Sequence, residues 1–276
     1  MINSAYSPVR HFAYAVLLNH DPRHAWFVML KAFTGYFDAS GDFEDPKCQV
    51  ITVGGWVSTV QKWNQFDKEW KGTLDGEGIT ALHMKDFIHS RREFATWRGD
   101  DPRRDKFMAA LVKTMKKRFH KAFACSVVID HYDEVNALYR LRERWGQPYC
   151  FAAYTVVGMI HKWMKHKHPC DPIEYIFENG DPEQENELRP LLQREGVDPV
   201  FKPKYDKRID KWWYPFQSAD FVAWENRDAL TKAVNNEFTD FRRSFQEIDK
   251  IPRRFTLFHK DNLISMCKRH VVLRSA

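Results

Sequence analysis

The sequence predicts an α/β protein in which helices cover a mixed β-sheet. Two segments rich in aromatic and β-branched residues, residues 34–38 and 48–57, lie close together in the chain and are expected to pair as a hairpin. Farther along, short apolar segments alternate with amphipathic ones, which is typical of strands connected by helices. A hairpin followed by this alternation indicates a sheet with both antiparallel and parallel pairs.

The other expected elements follow the hairpin along the chain. Apolar side chains recur at helical spacing from Val60 to Trp70, so a helix is expected there and should end near Gly72. In the first half of the chain, the remaining expected elements are a strand at 79–83, a helix at 107–119, a strand at 123–130 and a helix at 132–145. They are followed by a helix at 151–166, a strand at 173–177, a helix capped by Asp181 that ends before Gly196, and a strand at 200–205. An irregular loop is expected at 206–215, before a helix that begins near Phe216 or Gln217.

Composition and charge narrow the class of protein. Of the 276 residues, 43% are hydrophobic and 29% charged, which excludes collagenous and wholly disordered chains. The net charge of +6 is compatible with a polyanionic partner, but the two signs are interspersed, so charge alone assigns none. The 5 cysteines show no C-x-x-C spacing, so neither a disulfide framework nor a structural zinc site is predicted.

Three regions are expected along the chain. Residues 1–32 hold two short apolar runs and form an N-terminal extension, residues 33–234 form the α/β domain, and residues 235–276 form a basic C-terminal appendage. The longest apolar run, residues 12–18, is too short to cross a bilayer and lacks the flanking features of a secretion signal. We therefore expect a cytoplasmic protein without a membrane partner.

Three acidic residues stand where the predicted fold would bring them together. Asp38 ends the first strand, Glu178 ends a later strand and Asp220 lies on the last helix of the domain, among small neighbours that allow close approach to the sheet. Clustered carboxylates repel one another unless a cation neutralises them, and oxygen ligands select hard ions such as Mg²⁺ or Mn²⁺. Two such ions can activate water to attack a phosphodiester. The sequence therefore predicts a metal-dependent nuclease.

Each acidic residue also has an ordinary structural explanation. Asp38 can be a turn former after a strand, and Asp220 can be an acid in an early helical turn capped by Ser218. Glu178 can belong to a strand-to-helix turn, and Asp130 can cap the helix that follows its strand. These alternatives remain open at the level of sequence.

Four short segments share their order and spacing with a known family. They are Tyr36-Phe37-Asp38-Ala39-Ser40-Gly41-Asp42, Gly54-Gly55 in the following strand, Leu82-His83-Met84-Lys85-Asp86 and Gln217-Ser218-Ala219-Asp220-Phe221. Together they resemble the DUF3800 family of bacterial and phage proteins, over roughly residues 34–230. That family is similar to the ribonuclease H-like superfamily, in which acidic residues on the first strand, a later strand and the last helix bind catalytic divalent metals.

The resemblance implies a ribonuclease H-like fold and a role for several residues. Asp38 and Asp220 would be metal ligands, Gln217 would position the last helix, and His83 would be a polar residue at the edge of the catalytic site. Glu178 matches only by its place at a strand end. Ala39 stands where the family commonly has glutamate, and Asp42 or Asp130 could supply the missing carboxylate. A setting in mobile elements or phage defence is also implied.

A cationic, aromatic segment suggests how nucleic acid could bind. Aromatic rings beside cations provide the stacking faces and charges that single-stranded nucleic acid uses, and the residues in question are Lys207, Arg208, Lys211, Trp212 and Trp213. The same rings could instead pack the loop against the sheet. A second hypothesis for the whole chain is therefore a catalytically inactive module that binds nucleic acid or a protein. RNA, DNA and hybrid substrates are equally compatible with the sequence.

Overall fold

The computed structural model describes residues 32–41, 45–180, 182–237, 240 and 242–272. The strands of the described residues are β1 (Phe33–Ser40), β2 (Val50–Thr59), β3 (Lys121–Val128), β4 (Ile173–Glu178), β5 (Val200–Lys202), β6 (Tyr205–Asp206), β7 (Lys211–Trp212) and β8 (Arg253–Phe258). Their α-helices are α1 (Val60–Gly76), α2 (Met84–Ile88), α3 (Asp101–Arg118), α4 (Ile129–Tyr139), α5 (Leu141–Trp145), α6 (Pro148–Lys167), α7 (Pro182–Gln193), α8 (Tyr214–Val234), α9 (Arg243–Ile248) and α10 (Lys260–Val272).

Six of these strands form one mixed sheet in the order β5-β4-β1-β2-β3-β8. β2 is antiparallel to both β1 and β3, whereas β4 is parallel to β1, β5 to β4 and β8 to β3. Within the order β3-β2-β1-β4-β5 only β2 runs in the opposite direction, and β8 extends the sheet beyond β3. The predicted mixed α/β fold is confirmed.

Alternate residues of the central strands face two separate hydrophobic cores. Phe37 of β1 belongs to the core beneath α6, whereas its neighbour Tyr36 belongs to the core that contains side chains of α1, α3 and α8. This alternation follows from the two-residue period of a strand. Because Asp38 is two residues after Tyr36, it lies on the same face of the sheet as α8.

Several element boundaries differ from the sequence predictions for local reasons. α1 continues past Gly72 to Gly76, because Leu74 extends its buried face. Residues 79–83 are not a strand, since backbone N–H groups in and just after this segment bond to side chains of α8. The expected helix at 132–145 begins at Ile129 and is divided by Arg140, which has a left-handed backbone with φ of 53°.

The second half of the chain also departs from expectation. The expected loop at 206–215 contains the antiparallel β6–β7 hairpin, and α8 begins at Tyr214 with a proline in its first turn. In the region predicted to be a C-terminal appendage, β8 pairs with β3 and α10 packs on α4. Residues after the predicted boundary at 235 therefore contribute a strand to the same sheet as the residues before it.

Some predictions fall on residues outside the described ranges. These are the N-terminal extension up to residue 31, Asp42 and the proposed cap Asp181. Among the helices of the described ranges, none has both the length and the apolar character needed to cross a membrane.

Candidate active site

The two strand acids lie side by side at one edge of the sheet. β1 and β4 are parallel, and their register reaches the Phe37–Phe177 pair, so Asp38 and Glu178 follow that pair on adjacent strands. Each lies two residues after a core residue of its own strand, Tyr36 or Ile176, and therefore faces the α8 side of the sheet. Asp38 is paired with Gly54 inside the ladder and is 3% exposed. It is therefore not a turn residue.

Helix α8 brings the third acid, Asp220, to the same place. The helix crosses β1 and β2 closely, because Gly54 has no side chain and Ala223 of α8 lies directly above it. Asp220 is buried one turn before Ala223 and is the seventh residue of α8. The favourable effect of a helix N-terminus on acids falls off within the first turn, and Ser218 lies inside the helix, donating to Pro215 O at 2.7 Å. The cap explanation of Asp220 therefore does not apply.

The segment at 82–84 is tied to α8 by two side chains. Gln217 Oε1 accepts hydrogen bonds from Leu82 N and from Trp70 Nε1, each at 2.9 Å. Asp220 Oδ2 accepts one from Met84 N at 2.9 Å. These bonds fix His83 between two anchored residues, at the start of α2. The positioning role that the resemblance implies for Gln217 thus has a geometric basis.

A lysine that sequence analysis did not single out lies among the three acids. Lys204, between β5 and β6, places its Nζ 2.6 Å from Asp38 Oδ2, and 24% of its side chain is exposed. Its backbone O accepts a hydrogen bond from Trp213 N at 2.8 Å. A signal for it was present in the sequence: a lysine just after a strand parallel to β1 and β4 falls at the same sheet edge as their acids.

Burial and mutual repulsion shift the proton affinities of these groups. Burial, aided by the charges of Asp220 and Glu178 and opposed by Lys204, raises the pKa of Asp38 to about 8. Burial likewise raises the pKa of Glu178, with Lys204 opposing it. Burial lowers the pKa of Lys204, but attraction to Asp38, Asp220 and Glu178 outweighs it, so the net shift is upward. The four groups form one electrostatic cluster.

His83 lies at the rim of this cluster. Its side chain is 46% exposed, and its Nδ1 is 3.6 Å from Asp86 Oδ2. Its positive form would lower the pKa of Glu178, which places the ring within electrostatic range of that carboxyl.

The donor set fits a hard divalent cation, although the side chains do not form a metal cage. Within the described ranges, no three His, Cys, Asp or Glu side chains are spaced to hold a metal ion. However, three carboxyl groups face a single ammonium, which leaves two negative charges without a partner when all are ionised. Carboxylate oxygens are the ligands that Mg²⁺ and Mn²⁺ prefer. The chemistry of Asp38, Glu178 and Asp220 therefore suits such an ion.

The other predicted site residues lie farther from this centre. Asp130 is exposed in the first turn of α4, and its strand ends two residues earlier, at Val128. Trp213 is 6% exposed and belongs to the core on the α8 side, so the prediction that it offers an exposed stacking face is wrong. Its ring is large and apolar, and α8 begins directly after it, which draws it onto the core.

The rest of the cationic segment is accessible on the β6–β7 hairpin. Lys207 and Arg208 are exposed in the turn, and Arg208 pairs with Asp206 at 2.8 Å. Lys211 and Trp212 are partly exposed in β7, where the Trp212 ring lies 4.9 Å from that of Tyr205. Because Trp213 bonds to Lys204, this hairpin is linked directly to the carboxylate cluster.

Comparisons with known proteins add one distant likeness. No protein-family model and no curated protein matches the chain. Among solved structures, it is similar to a chain in the structure of the PCNA:RNase HII complex from Archaeoglobus fulgidus, with a TM-score of 0.40 and 15% identity over 79% of this chain and 87% of that one.

Proposed function

We propose that the protein is a divalent-metal-dependent phosphodiesterase that cleaves nucleic acid, and that it belongs with the DUF3800 proteins it resembles. The observation that supports the proposal most directly is the meeting of Asp38, Glu178 and Asp220 at one edge of a ribonuclease H-like sheet. Each comes from a different element, and each lies in or beside the core. Burying three acids together is costly, so a role beyond stability is the simplest explanation for their retention.

The chain's own residues have distinct tasks in this proposal. Asp38, Glu178 and Asp220 would hold Mg²⁺ or Mn²⁺, which would supply activation of water and stabilisation of the leaving oxygen. Gln217 keeps α8 and the segment before α2 in register with the sheet. His83 is a polar residue at the rim of the site, half exposed and within electrostatic range of Glu178. No side-chain nucleophile is needed.

The β6–β7 hairpin is the proposed substrate-binding element. Its exposed Lys207 and Arg208 supply positive charge for the phosphate backbone, and Trp212 supplies an aromatic face for a base. Its attachment to Lys204 places this surface beside the carboxylates. The bound strand would thus pass from the hairpin across the acidic cluster.

Cleavage assays test the proposal. Purified protein is incubated with labelled single-stranded RNA, single-stranded DNA, duplex DNA and RNA–DNA hybrid, each with Mn²⁺, Mg²⁺ or chelator. We expect metal-dependent cleavage of at least one substrate and a loss of about 100-fold or more in Asp38→Asn and Asp220→Asn. Asp75→Asn, an exposed change on α1, is the matched control and should cleave normally. Cleavage that survives both site variants or the chelator would contradict the proposal.

The second candidate is a module that binds nucleic acid without cleaving it. It is favoured by Ala39, which carries no carboxylate, and by Lys204, which already neutralises part of the cluster. This candidate predicts salt-sensitive binding that is unchanged by chelator and by Asp38→Asn. The same variants therefore decide between the two functions.

A further inference from the structure

We propose that Lys204 is a catalytic residue that serves as the second cation of the site, so that the protein uses one divalent ion and one ammonium rather than two metal ions. This inference rests on the proposed phosphodiesterase function and deepens it. The ammonium would remain paired with the Asp38 carboxylate and offer N–H groups to a non-bridging oxygen of the scissile phosphate.

The position of Lys204 is set by the fold. The residue follows β5, whose parallel pairing with β4 carries it to the sheet edge where Asp38 and Glu178 lie. Its backbone O is held by Trp213 N at 2.8 Å, and Trp213 is itself anchored in the core. Strand β5 before Lys204 and the hydrogen bond from Trp213 therefore hold its backbone where the ammonium lies 2.6 Å from Asp38 Oδ2.

The balance of charge indicates how many ions fit. With Asp38, Glu178 and Asp220 ionised and Lys204 protonated, one divalent ion brings the cluster to neutrality. A second divalent ion would leave two positive charges in excess in a largely buried site, where uncompensated charge is costly. Lys204 is also paired with an oxygen of Asp38 that a second metal ion would otherwise need as a ligand.

Access to substrate is provided by the exposed part of the lysine. An ammonium has three N–H donors, and Asp38 is the acceptor found at hydrogen-bond distance from Lys204 Nζ among the described residues. The side chain is 24% exposed, next to the hairpin that we propose binds the strand. A phosphate oxygen on that strand would find a preformed cation beside the acids.

Metal binding and cleavage, measured on the same full-length variants, test the inference. Mn²⁺ is titrated by calorimetry, and free Mn²⁺ is counted by electron paramagnetic resonance. We expect the wild type to bind one Mn²⁺ per chain. Lys204→Met removes the repulsion between two cations, so we expect Mn²⁺ affinity to rise about 10-fold while cleavage falls about 100-fold. Lys204→Arg keeps the charge and should bind one Mn²⁺ and recover part of the cleavage.

The opposite changes in affinity and cleavage separate a catalytic from a structural role, because a structural defect would lower both. Lys71→Met, at an exposed position of α1, should change neither. If circular dichroism shows that Lys204→Met does not fold, the inference is tested by the cleavage rate of Lys204→Arg and by the number of Mn²⁺ ions that the wild type binds. Two Mn²⁺ ions per wild-type chain, or cleavage by Lys204→Met at the wild-type rate, would overturn the role of Lys204 alone. A wild type that binds no Mn²⁺ and cleaves nothing would overturn the proposed function together with it.

Discussion

Gly54 of β2 lies directly beneath Ala223 of α8, and a Cβ placed on Gly54 would come within 3.1 Å of both the Cα and the backbone N of Ala223. Gly54 is also the ladder partner of Asp38, while Ala223 is one helical turn after Asp220. The missing side chain at one position of β2 therefore sets how closely the two acids approach. This contact links backbone packing to the candidate chemistry.

Gly54→Ala should consequently impair both stability and activity. The added methyl group meets helix backbone, which cannot move aside as a flexible side chain can, so α8 must shift away from the sheet. Overpacking of this kind costs about 1–3 kcal/mol. We expect a lower free energy of unfolding in urea and at least about 10-fold slower cleavage, because Asp220 moves with the helix.

Gly72→Ala is the matched control for that substitution. Gly72 is exposed within α1, and nothing lies within 4 Å of the position its Cβ would take. Alanine is preferred to glycine inside a helix by about 0.5–1 kcal/mol, so this variant should be more stable and cleave normally. If Gly54→Ala and Gly72→Ala have similar unfolding free energies and cleavage rates, close packing at Gly54 does not control stability or activity.

Gln217→Ala should loosen the segment that carries His83. It removes the acceptor of both Trp70 Nε1 and Leu82 N, and each donor left unpaired in the core costs about 1–3 kcal/mol. We expect a loss of about 2–5 kcal/mol in unfolding free energy and slower cleavage. Gln193→Ala, which removes an exposed amide bonded to Asp198, should change the unfolding free energy by less than about 0.5 kcal/mol.

Asp67 on α1 should make stability depend on pH. Its Oδ1 is buried and accepts no hydrogen bond within the described ranges, and burial raises the pKa of this carboxyl to about 7, with Lys211 opposing the shift. The folded state therefore holds a proton that the unfolded state releases above about pH 4. The stability associated with this group is complete below that pH and is lost as pH rises toward 7.

Asp67→Asn removes this titration. In urea unfolding at pH 4.5, 6 and 8, the stability of the variant relative to the wild type should rise with pH, by about 3–5 kcal/mol across the range. Asp75→Asn, at a carboxyl on the same helix that is 57% exposed, is the matched control for the Asp-to-Asn change itself. A flat difference for both variants would show that the Asp67 carboxyl does not carry the predicted proton.

The neighbouring tryptophans Trp212 and Trp213 should behave differently on truncation. Trp213→Ala removes a buried ring and should cost about 3–5 kcal/mol of unfolding free energy. Trp212→Ala should cost much less, because this ring is partly exposed on the hairpin. If the hairpin binds single strands, Trp212→Ala should weaken binding by about 1–3 kcal/mol in fluorescence titrations. Unchanged binding by this variant would remove Trp212 from the interface.

Much of the fold could be predicted because its signals are local. The hydrophobic runs of β1 to β4 and the helical spacing of α1, α3 and α6 depend on residues within a few positions of one another. The predictions were wrong where a contact between residues far apart in the chain determines the local structure. Residues 79–83 have a strand-like composition, but Leu82 N bonds to Gln217 and Met84 N, just after the segment, bonds to Asp220, each more than 100 residues away.

The candidate site divides in the same way. The acidic residues, their places on the first strand, a later strand and the last helix, and the small residues that let α8 approach could all be predicted from the sequence. The lysine that lies among the acids and the aromatic ring that is buried depend on tertiary contacts. Lys204 follows a predicted strand, but its ion pair with Asp38 depends on the pairing of β5 with β4, and the burial of Trp213 depends on how α8 packs on the sheet. Ion pairing and burial depend on groups brought together from far along the chain, and no local pattern encodes that meeting.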